Sequence, residues 1–483
     1  MYLGIDIGTS SVKAVLMDRD QRILGSRTAG LEVSRPHPGW SEQDPATWWT
    51  ACVAVLDGLA VEHKKEMAAV KGIGLSGHMH GATLLDGADK VLRPCILWND
   101  GRSAEEASEI SGPSERITGN IAMPGFTAPK LMWVKRHEPE VFEHVKTVLL
   151  PKDYVRLLLT GDKASDMSDS AGTLWLATPE RAWSDEMLQL TGMDRSQMPE
   201  LFEGSAPTGI LKADLAARWG MSGKVVLAGG GGDNAASGCG VGAVAPGTGF
   251  ISIGTSGVVF VTADRYRGNP AGAVHAFCHA VPGTWHQMGV ALSAAGSLEW
   301  LAGVMQAEPG DLVAPLGDTP AGPSSILFLP YLSGERTPHN DVAVRGAFFG
   351  LDQGHGRKDM TQAVLEGVAF SFKDCLDVLT MPLSEPKRLI AVGGGSRSRY
   401  WLKIIATVLN VPIAIPEDGD FGAAFGAARL GLIAAENADP FAICAPPAIR
   451  EVIMPIPDLV EAYASAHATY SDLYPAIKEA MPR

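Results

Sequence analysis

Ile5-Asp6-Ile7-Gly8-Thr9-Ser10 near the start of the chain returns past its midpoint as Ile251-Ser252-Ile253-Gly254-Thr255-Ser256. An alternating apolar run follows each copy, Val12 to Leu16 in one and Val258 to Val261 in the other. Each reads as strand, tight Gly-Thr-Ser turn, strand: a β-hairpin whose tip exposes backbone N–H groups and hydroxyls. Glycine admits close approach and Ser/Thr adds donors, so such tips make good cradles for phosphate oxygens. A single Gly-Thr-Ser turn need do no more than close a hairpin. Two, with matching flanks at the starts of two halves, report duplicated architecture. The pattern therefore predicts two related domains gripping a polyphosphate from opposite sides. The copies differ where Asp6 is replaced by Ser252, so only the first hairpin brings a carboxylate, as a single Mg²⁺ needs.

The bulk properties narrow the field. A chain of 483 residues is too long for one ordinary core and predicts two large domains. Hydrophobic content of 46% with 19% charged residues describes a globular, enzyme-like protein. A net charge of −14 argues against a nucleic-acid partner, whose phosphates demand a basic face. No apolar run reaches the ~18 residues of a membrane helix. The chain enters its first strand at Tyr2 without a basic or apolar leader, so no membrane partner and a cytoplasmic location are expected. Six scattered cysteines, without Cys-x-x-Cys spacing, are expected as buried free thiols. Assembly stays open at this level, a homodimer included.

Further along, the first ~30 residues read as a three-strand meander. A helix follows with Asp44 as N-cap and Pro45 at its first position; Trp48, Trp49, Cys52, Val53 and Leu56 form its apolar face. Val70 to Leu75 is a strand leading into Ser76-Gly77-His78-Met79-His80-Gly81, and Val225 to Ala228 leads into Gly229-Gly230-Gly231-Gly232-Asp233-Asn234. Ala243 to Gly247 is the hinge candidate. Arg388 to Val392 is a strand ending in Gly393-Gly394-Gly395-Ser396, followed by a helix to Leu409 and a strand at Pro412 to Ile415. That order places ligands at the carboxyl edge of a sheet. Gly422 to Ala435 is a small-residue helix suited to close packing.

Three Gly-rich turns thus bear on nucleotide: residues 8–10, 254–256 and 393–396. No Walker Gly-Lys-Ser/Thr loop is present. Duplicated hairpins with a later Gly-rich adenosine loop describe an α/β protein of two-domain actin-like ATPase (ribonuclease H-like) fold, with a duplicated core and a central cleft. Its expected divide falls between residues 1–245 and 246–483. In Gly125-Phe126-Thr127-Ala128-Pro129-Lys130-Leu131-Met132-Trp133, and in Gly346-Ala347-Phe348-Phe349-Gly350-Leu351 leading to Ala363-Val364-Leu365-Glu366, the chain resembles the FGGY carbohydrate kinase family over essentially its full length. Ser76 to Gly81, Trp98-Asn99-Asp100-Gly101-Arg102 and Leu332 to Pro338 resemble the members that phosphorylate D-xylulose. Ser11, where such enzymes often have glycine, and a Gly229–Gly232 run one residue longer than expected are the two departures.

The resemblance implies a kinase with ATP as donor, Mg²⁺ as metal and D-xylulose as acceptor, yielding the 5-phosphate. It implies Asp233 as catalytic base and Asp6 as the catalytic carboxylate that organises Mg²⁺, through water. It implies ATP along Gly8, Thr9, Ser10, Gly254, Thr255 and Ser256, with adenosine against Gly394 and Gly395. It implies sugar against Met79 and His80. Taken from the residues, Asp233-Asn234 after four glycines reads as a surface turn or as a base beneath a sugar, with Asn234 donating to and accepting from hydroxyls. His78 and His80 at i,i+2 point the same way if the strand continues, but no third metal ligand lies nearby in sequence. His78 reads as a core histidine. Trp98 flanks the sugar or sits above an Asp-Gly turn. Asp166 and Asp169 approach the sugar or face solvent, with solvent expected, and Trp48 and Trp49 are expected at the core and edge of a helix. The rivals are a sister kinase acting on ribulose, glycerol or gluconate, an ATP-driven switch, and a sugar sensor descended from a kinase; intact Asp6 and Asp233 weigh against the last.

Overall fold

The computed structural model describes residues 1–379, 386–417 and 421–479. Among them are two seven-stranded sheets. The first runs Pro207–Ile210, Val226–Ala228, Gly72–Gly77, Tyr2–Ile7, Ser11–Met17, Ile23–Gly30, and Gly231–Gly232 also pairs with Gly72–Gly77. The second runs His275–Cys278, Trp285–Ala291, Gly257–Ala263, Gly249–Ile253, Leu389–Val392, Ile413–Pro416, Ile449–Ile453. Their plans coincide. In each, a hairpin opens an antiparallel meander, and its first strand then pairs parallel with a much later one. The duplication read in the two hairpins extends to whole sheets, as the two-domain actin-like reading expects.

The local chemistry explains the elements. Tyr2–Ile7 is buried throughout except at Asp6, as a central strand covered on both faces should be. Asp44 caps helix Pro45–Glu62 by accepting from the Ala46 N–H; Trp48, Cys52 and Leu56 face the core, while Trp49 and Val53 lie at its edge. Strands Gly72–Gly77 and Ile413–Pro416 begin one or two residues later than their apolar runs suggest. The edge strands Pro207–Ile210 and Ile449–Ile453 were not legible, being short and largely half-exposed, with little apolar patterning.

Helix Ala423–Glu436 comes late in the chain yet lies on the first sheet. A Cβ placed on Gly4 or Gly74 would fall 1.8 Å from the carbonyl oxygen of Ala424 or Ala427, so the helix backbone rests directly on the strands. It also crosses helix Asp233–Val241, where a Cβ on Gly426 would fall 1.8 Å from the Ala236 oxygen. The chain therefore passes between the sheets at 242–248 and again after Ile413–Pro416. One apolar core spans both parts, joining Met79, Phe126 and Trp175 to Phe260, Phe277 and Met288. All six cysteines are buried and free. No described helix is long and apolar enough to cross a membrane.

Candidate active site

Three parallel strands of the first sheet end side by side. Asp6 and Gly231 both face Ser76 of the strand between them, and Asp233 follows as the first residue of helix Asp233–Val241. The Ser76 hydroxyl donates to Asp6 Oδ1 at 2.9 Å. Asn234 donates to Asp233 Oδ1 through its backbone N–H at 2.7 Å and its amide at 2.9 Å; neither bond falls on Oδ2. Burial, and then the nearby Asp6 charge, push the Asp233 carboxyl up to about 7.

The long glycine run has a geometric meaning. Leu227 faces Ile73 and Gly231 faces Ser76, so four steps along one strand oppose three along the other. The extra residue forms a β-bulge, a device that re-aims the next side chain. Gly230 takes φ +82° there, and a Cβ would strike the Leu75 carbonyl oxygen at 2.2 Å. Ser11 is regular: it begins a strand opposite Gly30, and its carbonyl accepts from the Gly8 N–H.

Met79 lies against Gly232, the residue before Asp233, and His80, next to it in the chain, lies against Gly172. A Cβ on Gly232 would fall 2.9 Å from Met79 Sδ, and one on Gly172 would fall 2.5 Å from His80 Nδ1. His80 Nδ1 lies 2.6 Å from the Gly172 oxygen. A carbonyl only accepts, so Nδ1 carries the proton. Burial, with the Lys130 and Arg336 charges adding to it, pushes His80 down to about 3 and keeps the ring neutral. Nε2 is then an acceptor for a hydroxyl. His80 adopts φ +70°, and its carbonyl accepts from Thr127 Oγ1 at 3.1 Å and Lys130 Nζ at 2.8 Å. Sequence reasoning missed both as supports of the site. The available signal was a lysine at a fully buried position between Ala128 and Leu131. His78 and His80 form no pair, because the strand ends at Gly77 and the chain turns at His80. His78 is a core histidine whose Nδ1 donates to the Ile7 oxygen at 3.0 Å. Among the described residues no group of three or more His, Cys, Asp or Glu could hold a metal by itself.

The second half closes over this group. Phe126 stacks edge-on to His80 and to His275, and Arg336 is near enough to both histidines to lower them further. Arg336, also missed in sequence, is carried on a loop fixed by Thr337, whose N–H donates to the Val290 oxygen at 3.0 Å.

Both hairpin tips are built as expected. Thr9 Oγ1 accepts from the Trp98 indole at 3.0 Å, which ties Trp98 to the first tip. At the second tip Ala295 and Ala294 donate to the Gly254 and Thr255 oxygens, which turns the tip's own carbonyls away. A Cβ on Gly393 would fall 2.8 Å from the Ile253 carbonyl, so the Gly394-Gly395 loop adjoins this second tip. Beside that loop opens a cavity of about 680 Å³ lined by Gly317, Asp318, Arg397, Tyr400 and Lys403.

Two acidic residues correct the sequence reading. Asp166 and Asp169, expected at solvent, are fully buried, 2.9 and 3.3 Å from Lys152 Nζ. Their neutralising cation lies more than ten residues upstream, so local pattern could not show it. Asp100 and Arg102 form a buried ion pair at 2.7 Å, with the guanidinium 3.5 Å over the Trp40 ring, a structural role.

Comparison with known proteins identifies the family. The model for the FGGY family of carbohydrate kinases, N-terminal domain, matches residues 1–240, and that for the C-terminal domain matches 249–435. The chain is 49% identical to the xylulose kinase of Escherichia coli K12, over 90% of each chain. It is 46% identical to that of Klebsiella pneumoniae over 100% of each. A crystal structure of a "xyloylose kinase" from Brucella ovis superposes with TM-score 0.97 at 58% identity, covering 99% of both chains. With both halves matched and relatives of this identity spanning its length, the chain belongs to the FGGY family of carbohydrate kinases.

Proposed function

We propose that this kinase transfers the γ-phosphoryl group of ATP to O5 of D-xylulose, with Asp233 as general base. The observation that carries the reading is the placement of Asp233 at the carboxyl edge of the first sheet, with Met79 against the glycine before it and His80 next in the chain. The xylulose kinases among its relatives give the acceptor's identity. Sugar kinases of this family use ATP.

The residues support a simple sequence of events. A sugar hydroxyl is a weak nucleophile, and a carboxylate at its proton lets it attack phosphorus. Asp233 Oδ2 receives the O5 proton while Asn234 holds Oδ1. Neutral His80 accepts from a second sugar hydroxyl through Nε2, and Met79 packs against carbon. The Gly8 and Gly254 N–H groups close their own turns, and the amides and hydroxyls of Thr9, Ser10, Thr255 and Ser256 hold the phosphates from opposite sides. Adenosine lies against Gly394-Gly395. Trp98 borders the sugar site from the first tip.

A lone carboxylate fits Mg²⁺, which keeps most of its water and binds mainly through phosphate oxygens. Asp6, fixed by Ser76, would hold it through water, and the ion would neutralise charge on the transferring group. The working division of the chain falls near residue 245, with helix Ala423–Glu436 returning to the first part.

The test is ADP release measured with D-xylulose, D-ribulose, glycerol, gluconate and no acceptor. D-xylulose should give the highest kcat/KM. A higher value for glycerol or gluconate would overturn the acceptor while leaving the kinase family intact.

A further inference from the structure

Beneath the bulge that carries Asp233 lies a group of ionisable side chains with no exposure at all. Lys152 Nζ lies 2.5 Å from Asp153 Oδ1, 2.9 Å from Asp166 Oδ1 and 3.3 Å from Asp169 Oδ2, and Arg156 lies beside them. Isolating charges from water costs several kcal/mol per ion, and stability alone rarely calls for it. Two members reach out of the group to the same stretch of backbone. The Arg156 guanidinium donates to the Gly229 oxygen at 2.6 Å, and its other nitrogen bonds Thr208 Oγ1. Asp166 Oδ2 accepts from the Ser168 hydroxyl at 2.5 Å and the Ser168 N–H at 2.7 Å, and Ser168 Oγ in turn accepts from the Gly232 N–H at 3.1 Å.

The first and last residues of the Gly229–Gly232 run are therefore both bonded to one buried ionic group. A run of four glycines is the most mobile backbone a chain can have. A one-residue bulge within it sets where the following side chain points. From this bracketing we propose that Arg156 and the Asp166–Ser168 pair are positioning residues for Asp233: they hold the ends of the glycine bulge so that the carboxylate meets the acceptor hydroxyl. Lys152 acts one step back, by fixing Asp166. None of these residues touches sugar or nucleotide in this account. The inference rests on the reading of Asp233 as base.

A misplacement of about 1 Å at a reacting group can cost on the order of 10²-fold in rate. Losing one of the two anchors should cost less. Ser168→Ala removes the Gly232 anchor and leaves every charge in place. It should lower kcat at least about fivefold, with the KM for ATP changed by less than about twofold. The decisive comparison is the same change in an Asp233→Ala background, where an anchor for an absent carboxylate should have no further effect on the residual kcat. A smaller loss in the native background, or an equal loss in both, overturns the inference. Should Ser168→Ala fail to fold, Thr208→Val reads the Arg156 end by the same cycle and the same criterion. Asp233→Ala retaining near-native kcat would overturn the base itself, an outcome distinct from failure of the anchors.

Discussion

Asp6 and Asp233 are two carboxylates on either side of the strand Gly72–Gly77, given different tasks by their surroundings. Asp233 is desolvated and sits near a like charge, which raises it to about 7. A base must be ionised to accept a proton, so kcat/KM should rise with pH through about 7 and fall below it. The carboxyls facing it are Asp6, whose charge raises it, and, from below, Asp169, itself pushed well up by burial. Asp233→Ala should lower kcat by at least ~10²-fold with ATP binding little changed, and should abolish that acid limb. Near-normal kcat in the folded variant would sink the assignment. Asp6 differs from its repeat partner Ser252 by one carboxylate. Asp6→Ala should reduce turnover severely and raise the Mg²⁺ concentration needed, whereas Ser252→Ala should do little. Equal losses on Mg²⁺ titration would deny the carboxylate a metal role.

Elements were legible wherever local chemistry is self-sufficient. The hairpins announce themselves by a repeated turn flanked by alternating apolar residues, and helix Pro45–Glu62 by its Asp-Pro cap. The strand and helix around Gly393-Gly394-Gly395 were equally plain. What escaped depends on partners distant in sequence. Asp166 and Asp169 look like solvent residues until Lys152 is brought against them. The i,i+2 pattern of His78 and His80 pointed to a shared face, but the left-handed His80 cannot be read from residue types. The small-residue composition of Gly422 to Ala435 signalled close packing without naming the partner. That partner is the first sheet, and it makes a prediction at this scale. Gly74→Ala drives a methyl toward the Ala427 carbonyl, and backbone cannot step aside as a side chain does. A cost of at least ~1–3 kcal/mol is expected, seen as a Tm lower by several degrees. An unchanged Tm would mean the helix can slide on the sheet.

At the scale of the whole molecule the two sheets carry complementary parts. Asp6, Asp233, Met79 and His80 lie on the first, and the second tip with Gly394-Gly395 lies on the other. Attack on phosphorus needs the hydroxyl and phosphate at roughly 3–3.5 Å, and ligands must still be able to enter, so closure of the cleft is expected. The crossover proposed as a hinge is bonded to the second sheet: Gly247 N–H donates to the Thr262 oxygen, and Thr262 Oγ1 to the Ala243 oxygen. Those residues would travel with that sheet, and the pivot is then expected where Gly242, at φ +76°, leaves its helix. Sugar and a non-hydrolysable ATP analogue together should make the protein more compact by small-angle scattering than neither ligand does. An unchanged profile with both sites occupied would argue for a rigid, preformed site.

The claim on which all of this rests is that ATP is spent on a particular sugar oxygen. It is tested most directly by incubating the protein with ATP, Mg²⁺ and D-xylulose and following phosphorus and proton resonances together. The account predicts one phosphate monoester on C5 for each ADP formed. Inorganic phosphate in place of ester, or an ester on another carbon, would contradict it.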